Sequence, residues 1–211
     1  MATYTLQQHI DETDVEWNTI QYFKDVVEFL KIKKIKKVLD VGGCTGQVSV
    51  ILLHEIPSIT DITIIEAVED NFNFIQERAN SADTANINVI HKALFYGSPT
   101  VKLGRCDYNV GGWSVNQSNN QTEVETITLE EFSDIDFVKI DIEGAEMSVI
   151  SNSTYIHKIP FIEIEFHYEY LDQNLWREYV EKNLTNHVVK FEGSPNRPQN
   201  AFLVRKDLIE F

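Results

Sequence analysis

Four short runs of the chain, Val38–Val41, Ile62–Ile65, Val138–Ile142 and Phe161–Phe166, are almost continuously apolar or β-branched, and segments of helical period separate them. An antiparallel sheet with one wet face would alternate apolar and polar residues. Runs of this kind belong instead to strands covered by helices on both faces. Strand and helix in alternation give βαβ units and a parallel sheet. Near the end, HVVKFEG and NAFLVRK flank the turn-rich SPNRPQN and read as a closing antiparallel hairpin. The expected class is α/β, a doubly wound, mostly parallel sheet with an antiparallel C-terminal edge hairpin.

A length of 211 residues suits one hydrophobic core, and no repeat or linker divides the chain. Residues 1–36 are expected to form a helical extension and 37–211 the core of a single domain. In that extension Val15, Ile20, Phe23, Val26, Val27 and Leu30 recur at helical spacing from about Thr13 to Lys33, with Asp11 or Thr13 as the cap. Eighteen basic against 33 acidic residues give a formal charge of −15. Such a surface repels phosphate backbones and anionic bilayers, so neither nucleic acid nor a membrane is an expected partner. Two cysteines, Cys44 and Cys106, are too few for a disulfide framework, which points to the reducing cytoplasm. The N-terminus lacks the basic and apolar regions of a leader, and no apolar stretch approaches the roughly 20 residues of a membrane span. A monomer or homodimer is expected.

The sharpest local signal is VLDVGGCTGQVS, residues 38–49, where an apolar strand ends at Asp40 and passes Gly42, Gly43, Cys44 and Gly46 into a helix. Glycines let a backbone approach a ligand closely, and a helix start offers free N–H groups. Glu66 ends the next strand, ITIIEA, where a carboxylate can accept from both hydroxyls of a ribose. Strand, turn, helix, strand and acid in this order bind a nucleoside. A dinucleotide fingerprint beginning at Gly42 would need glycines at positions 44 and 47, which are Cys44 and Gln47. An acid before the turn repels a pyrophosphate and suits an ammonium group, which S-adenosylmethionine carries. The alternative is a tight strand–helix connection with no ligand.

On these residues the chain resembles the FkbM family of S-adenosylmethionine-dependent methyltransferases. Asp40, Gly42, Gly46 and Ser49 match its D-x-G-x-x-x-G-x-x-S pattern. Asp136, Lys139, Ile140, Asp141, Glu143, Gly144 and Glu146 match D-x-x-K-I-D-x-E-G-x-E, and Ala93-Leu94 a weaker element. The resemblance spans roughly Val38 to Lys206 and implies a Rossmann-like fold of the class I methyltransferase type. It also implies O-methylation of a small molecule, most simply a sugar or glycan such as a deoxyhexose. The chain departs from the family at Gly43-Cys44, often Ala-Asn there, and at Ala67, often Pro. Its third-strand turn, HKALFYG, lacks the acid many such enzymes place near adenine, so the backbone around Lys92, Ala93 and Leu94 is expected to serve.

In an open parallel sheet the ligand lies beyond the carboxyl ends of the strands. Asp141 ends the fourth strand, and alternation along FIEIEFHYEY puts Glu163, Glu165 and His167 on one face. Methyl transfer to a hydroxyl needs a proton acceptor or a metal. Either His167 takes the proton directly, if its ring stays near the ordinary value of about 6.5, or Asp141, Glu165 and His167 hold Mg²⁺. Glu146 reads as helix capping and Glu163 as the partner of Lys139. The polar stretch from Gly104 to Thr122 reads as an active-site lid, with Trp113 a flat face for a sugar ring. Alternatively it is a solvated loop whose Trp113 packs back on the domain. Tyr168, and less strongly Tyr108 and Tyr170, are expected acceptor contacts. Two competing functions are a catalytically silent nucleoside-binding module and an NAD(P)-dependent reductase.

Overall fold

The computed structural model describes residues 17–79, 85–105, 113–115, 119, 121–167, 175–193 and 199–209. Helix α1 (Trp17–Lys33) turns Tyr22, Val26, Val27 and Leu30 inward and carries Lys31 and Lys33 in its last turn, where cations favour the helix dipole. The central sheet follows with β1 (Lys37–Val41), β2 (Asp61–Glu66), β3 (Asn86–His91), β8 (Phe137–Ile140), β9 (Phe161–Phe166), β10 (His187–Glu192) and β11 (Gln199–Arg205). Its order is β10-β11-β9-β8-β1-β2-β3. β9, β8, β1, β2 and β3 run parallel, while β10 and β11 form the antiparallel edge. The strand order reverses between β1 and β8, so the crevice beyond their carboxyl ends is where such sheets bind ligands.

Helices α2 (Gln47–Glu55) and α3 (Glu69–Ala79) connect the first three strands; α4 (Glu146–Asn152) and α5 (Leu175–Asn183) lie in the second half. Two apolar cores result, one per face of the sheet. Leu39, Val138, Ile140, Ile162 and Ile164 pack with Val149, Ile150, Trp176 and Val180 of α4 and α5. On the opposite face Val38, Ile62, Phe137, Phe161 and Phe202 pack with α1 and with Leu52 of α2. Covering both faces is what the continuous apolar runs required. Among the described residues no helix is long and apolar enough to cross a membrane.

Between β3 and β8 the sequence reading is corrected. β4 (Ala93–Leu94), β5 (Thr100–Arg105), β6 (Trp113–Ser114) and β7 (Thr122–Ile127) form a second sheet in the order β4-β7-β5-β6. Trp113 pairs with Arg105 and Ser114 with Gly104. Trp113 packs on Ala93, Leu103 and Val124, as in the alternative reading of this stretch, and it also lines the cavity described below. Residues 106–112, 116–118 and 120, within the rest of the expected lid, lie outside the described residues.

Candidate active site

The glycine turn is stitched between its neighbouring strands. The amides of Gly42 and Gly43 donate to the Ile65 carbonyl at 2.9 and 3.2 Å, and the Asp141 amide donates to Val41 at 3.0 Å. Gly42 has φ +80°, and a Cβ there would stand 1.8 Å from the carbonyl oxygen of Asp141. No other residue fits, which brings the ends of β1 and β8 together. A Cβ at Gly43 would meet Ile64 at 2.3 Å. Gly43 and Gly46 therefore serve packing against β2 and the start of α2, and neither lines the cavity described below.

Asp40 also departs from expectation. It is fully buried, accepts from the Ser49 hydroxyl at 2.5 Å, and leaves Oδ1 without a partner. Burial pushes its carboxyl up, against the pull of Lys139 on the next strand. It lies beneath the turn, behind the residues that line the cavity.

Glu66 behaves as a hub. Its Oε2 accepts the Cys44 amide at 2.7 Å and its Oε1 the Val68 amide at 2.8 Å. Burial raises its carboxyl, while these backbone donors favour the ionised form. Cys44 is held at φ +48°, an unfavourable region for a residue with a Cβ, in the conformation that aims its N–H at Glu66. Above this pair opens a cavity of about 220 Å³ lined by Gly42 and Cys44 of the turn, Glu66 and Ala67 after β2, Ala93 and Leu94 of β4, Trp113 of β6, and Asp141 and Glu143 after β8.

At one side of this cavity the acids of β8 and β9 converge. Single ligand atoms of Asp141, Glu165 and His167 lie within 4.8 Å of one another. Nε2 of His167 is 3.8 Å from Asp141, 3.8 Å from Glu165 and 3.4 Å from Glu143. Its Nδ1 is 3.0 Å from Oε1 of Glu146, which also accepts the Gly144 amide at 3.0 Å. Burial opposes charge on the imidazole, but Glu146, Asp141 and Glu143 outweigh it and raise the ring to about 10. Direct proton transfer to His167 presumed a ring near 6.5, and the surrounding acids hold it well above that. Burial and the nearby Asp141 push Glu165 up to about 8.

Glu146 thus orients His167, beyond the capping assigned to it, and Glu143 joins the cluster. Both stand in the second motif. The buried Ser114 hydroxyl donates to the Glu143 carbonyl at 2.6 Å, tying the small sheet to the same loop. The expected Glu163–Lys139 pair holds in register and in charge, and each group also has nearer partners. The Lys139 ammonium contacts Asp141 Oδ2 at 3.1 Å, and Glu163 accepts from Tyr22 at 3.1 Å and Asn200 at 3.0 Å. Glu165 and His167 do not line the cavity themselves and reach it through Asp141. Tyr108, Tyr168, Tyr170 and Cys106 lie outside the described residues.

The sequence model described as "Methyltransferase FkbM domain" matches residues 40–191. No curated protein matches the chain significantly. Among solved structures, Methyltransferase FkbM from Methylobacillus flagellatus KT is 16% identical with a TM-score of 0.55, covering 81% of this chain and 44% of its own. This chain thus spans less than half the length of that protein. The methyltransferase domain of bacterial CtHen1-C is 16% identical with a TM-score of 0.53, over 88% of this chain and 97% of its own. Magnesium protoporphyrin IX methyltransferase (ChlM) from Synechocystis PCC 6803, solved with bound SAM, is 12% identical with a TM-score of 0.50, over 92% and 86%. At these identities the likeness establishes the fold, that of class I methyltransferases.

Proposed function

The chain belongs to the FkbM family of methyltransferases, and from that premise we propose that it moves a methyl group from S-adenosylmethionine to a hydroxyl oxygen of a small acceptor, a sugar or glycan unit. One observation carries the reading: the acid that ends β2, Glu66, and the acid that follows β8, Asp141, line a single cavity with the glycine turn between them. Glu66 is fixed by two backbone N–H groups, and each carboxylate oxygen keeps lone-pair capacity for a ribose hydroxyl. Ala67, Ala93 and Leu94 supply apolar wall for an adenine. The acidic lining by Glu66, Asp141 and Glu143 favours a cationic donor over a pyrophosphate, which sets the nicotinamide reading aside.

S-adenosylmethionine supplies an electrophilic methyl on a positively charged sulfur; the chain must orient the acceptor hydroxyl and remove its proton. Asp141 accepts the hydroxyl's hydrogen bond at the cavity wall. That proton passes through Asp141 to deprotonated Nε2 of His167 or to the Glu165 carboxylate, both set behind it, and Glu146 keeps the ring turned toward Asp141. Two carboxylates and an imidazole also suit Mg²⁺, and the distances of 3.4–3.8 Å around Nε2 exceed direct hydrogen bonds, leaving room among the donors. Asp141, Glu165 and His167 would hold that ion, which would acidify the hydroxyl.

Incubation of the protein with methyl-labelled S-adenosylmethionine and a panel of free sugars, glycosides and glycans, with and without EDTA, tests acceptor class and metal need together. Label in a sugar, lost in Asp141→Asn and His167→Ala, is the expected result. Binding of donor with no transfer to any acceptor, and variants that keep function in cells, would favour a silent nucleoside-binding module.

A further inference from the structure

Each of the three acceptor-end groups is gripped from behind by a residue outside the trio. Glu146 holds Nδ1 of His167, Lys139 holds Oδ2 of Asp141 at 3.1 Å, and Asn200 donates to Oε2 of Glu165 at 3.2 Å. In every case the opposite atom faces the common centre: Oδ1 of Asp141 and Oε1 of Glu165 each lie 3.8 Å from Nε2 of His167. Glu146 and Lys139 come from the β8–α4 segment. Asn200 comes from the edge hairpin, 35 residues from Glu165 and paired with it in register across β9 and β11.

We propose that Asn200 is a positioning residue of the acceptor end, clamping one oxygen of Glu165 so that the other is presented to His167 and the acceptor. An amide NH₂ has two donor hydrogens. Here one goes to Glu163 Oε1 at 3.0 Å and the other to Glu165. Glu163 is a firm brace, since it is buried and also receives the Tyr22 hydroxyl from α1 at 3.1 Å. A neutral donor suits the place: a second cation would compete with Lys139 for the same acids, and a carboxylate would add an anion beside Glu163 and Glu165. The backbone shape agrees, because the Gly193 amide donates to the Asn200 carbonyl at 2.8 Å and a Cβ on Gly193 would press the Asn200 Cβ at 3.0 Å.

The proposal rests on Asp141, Glu165 and His167 being the acceptor-end groups, and its test separates the two. Asn200→Asp keeps the shape and loses both donor hydrogens; Asn200→Ser is a second variant in case the first does not fold. For each, a crystal structure is determined, S-adenosylhomocysteine binding is measured by calorimetry, and kcat and KM are measured with an acceptor from the panel. Expected are a Glu165 carboxylate turned away from His167, S-adenosylhomocysteine affinity within about twofold of the parent, and kcat lower by about tenfold or more with KM for the donor unchanged. Glu165 Oε1 remaining where it stands, with parental kcat, overturns the role of Asn200. Should the parent methylate nothing in the panel, the proposed function fails, and the Glu165 position in the variants still decides the role of Asn200.

Discussion

Oε1 of Glu146 lies 3.0 Å from Nδ1 of His167, so a carboxylate buried at the start of α4 sets both the charge and the direction of the ring. Because His167 titrates near 10, it accepts a proton only as the pH approaches that value. With EDTA present, methyl transfer should climb from pH 7 toward about 10. Glu146→Gln removes the strongest stabiliser of the imidazolium and should move that climb to lower pH, read from a pH–rate profile. A profile unmoved by the substitution would contradict the coupling.

Stability should fall as pH rises through neutrality. The folded His167 value, about 10, exceeds the ordinary 6.5, so its favourable interactions are complete below about 6.5 and lost through about 10. Glu163 and Glu165, raised mainly by burial to about 7 and 8, also bind protons more tightly folded than unfolded. Their contribution is present below the ordinary carboxylate range and lost as pH climbs through those values. All three push the same way, so the melting temperature should be higher at pH 6 than at pH 9, measured by calorimetry.

Lys139 is 8% exposed and faces Asp141, Asp40, Glu163 and Glu165, which together hold its ammonium charged despite burial. Lys139→Met leaves those acids without their cation and should destabilise by about 3–5 kcal/mol at neutral pH. Part of the loss should return at pH 5, where carboxylates neutralise. Urea denaturation at the two pH values reads both effects.

Gly42→Ala forces a Cβ onto the Asp141 carbonyl and holds alanine at φ +80°. Expected are a cost of more than about 1 kcal/mol from the dihedral alone and loss of S-adenosylhomocysteine binding, since the turn and the β8 end must separate. Gly97→Ala meets no atom within 4 Å although φ is +98°, so it isolates the dihedral cost and should spare binding.

The parallel core was legible because continuous apolar runs have few other homes; β1, β2, β3, β8 and β9 all lie near their expected places. The small sheet was not, since β5 and β7 are polar and half-exposed, and Gly, Asn and Gln nearby mimic a loop. Parity along β9 brought Glu165 and His167 to Asp141. The same parity could not tell that Asp40 would be sealed under the turn, because burial depth depends on how Ser49 and the glycines close over it. Glu146 was visible as a motif residue but not as a partner of His167. Asn200 carried no local signal at all; only the register of β11 on β9 places it beside Glu165.

The most direct measurement is calorimetric titration of S-adenosylhomocysteine into the parent protein and into Glu66→Gln. Stoichiometric binding by the parent and at least about tenfold weaker binding by the variant are expected, as losing a charged hydrogen-bond acceptor entails. Absence of heat with the parent, or equal affinity in both, would contradict the assignment of this cavity to an adenosine-bearing methyl donor.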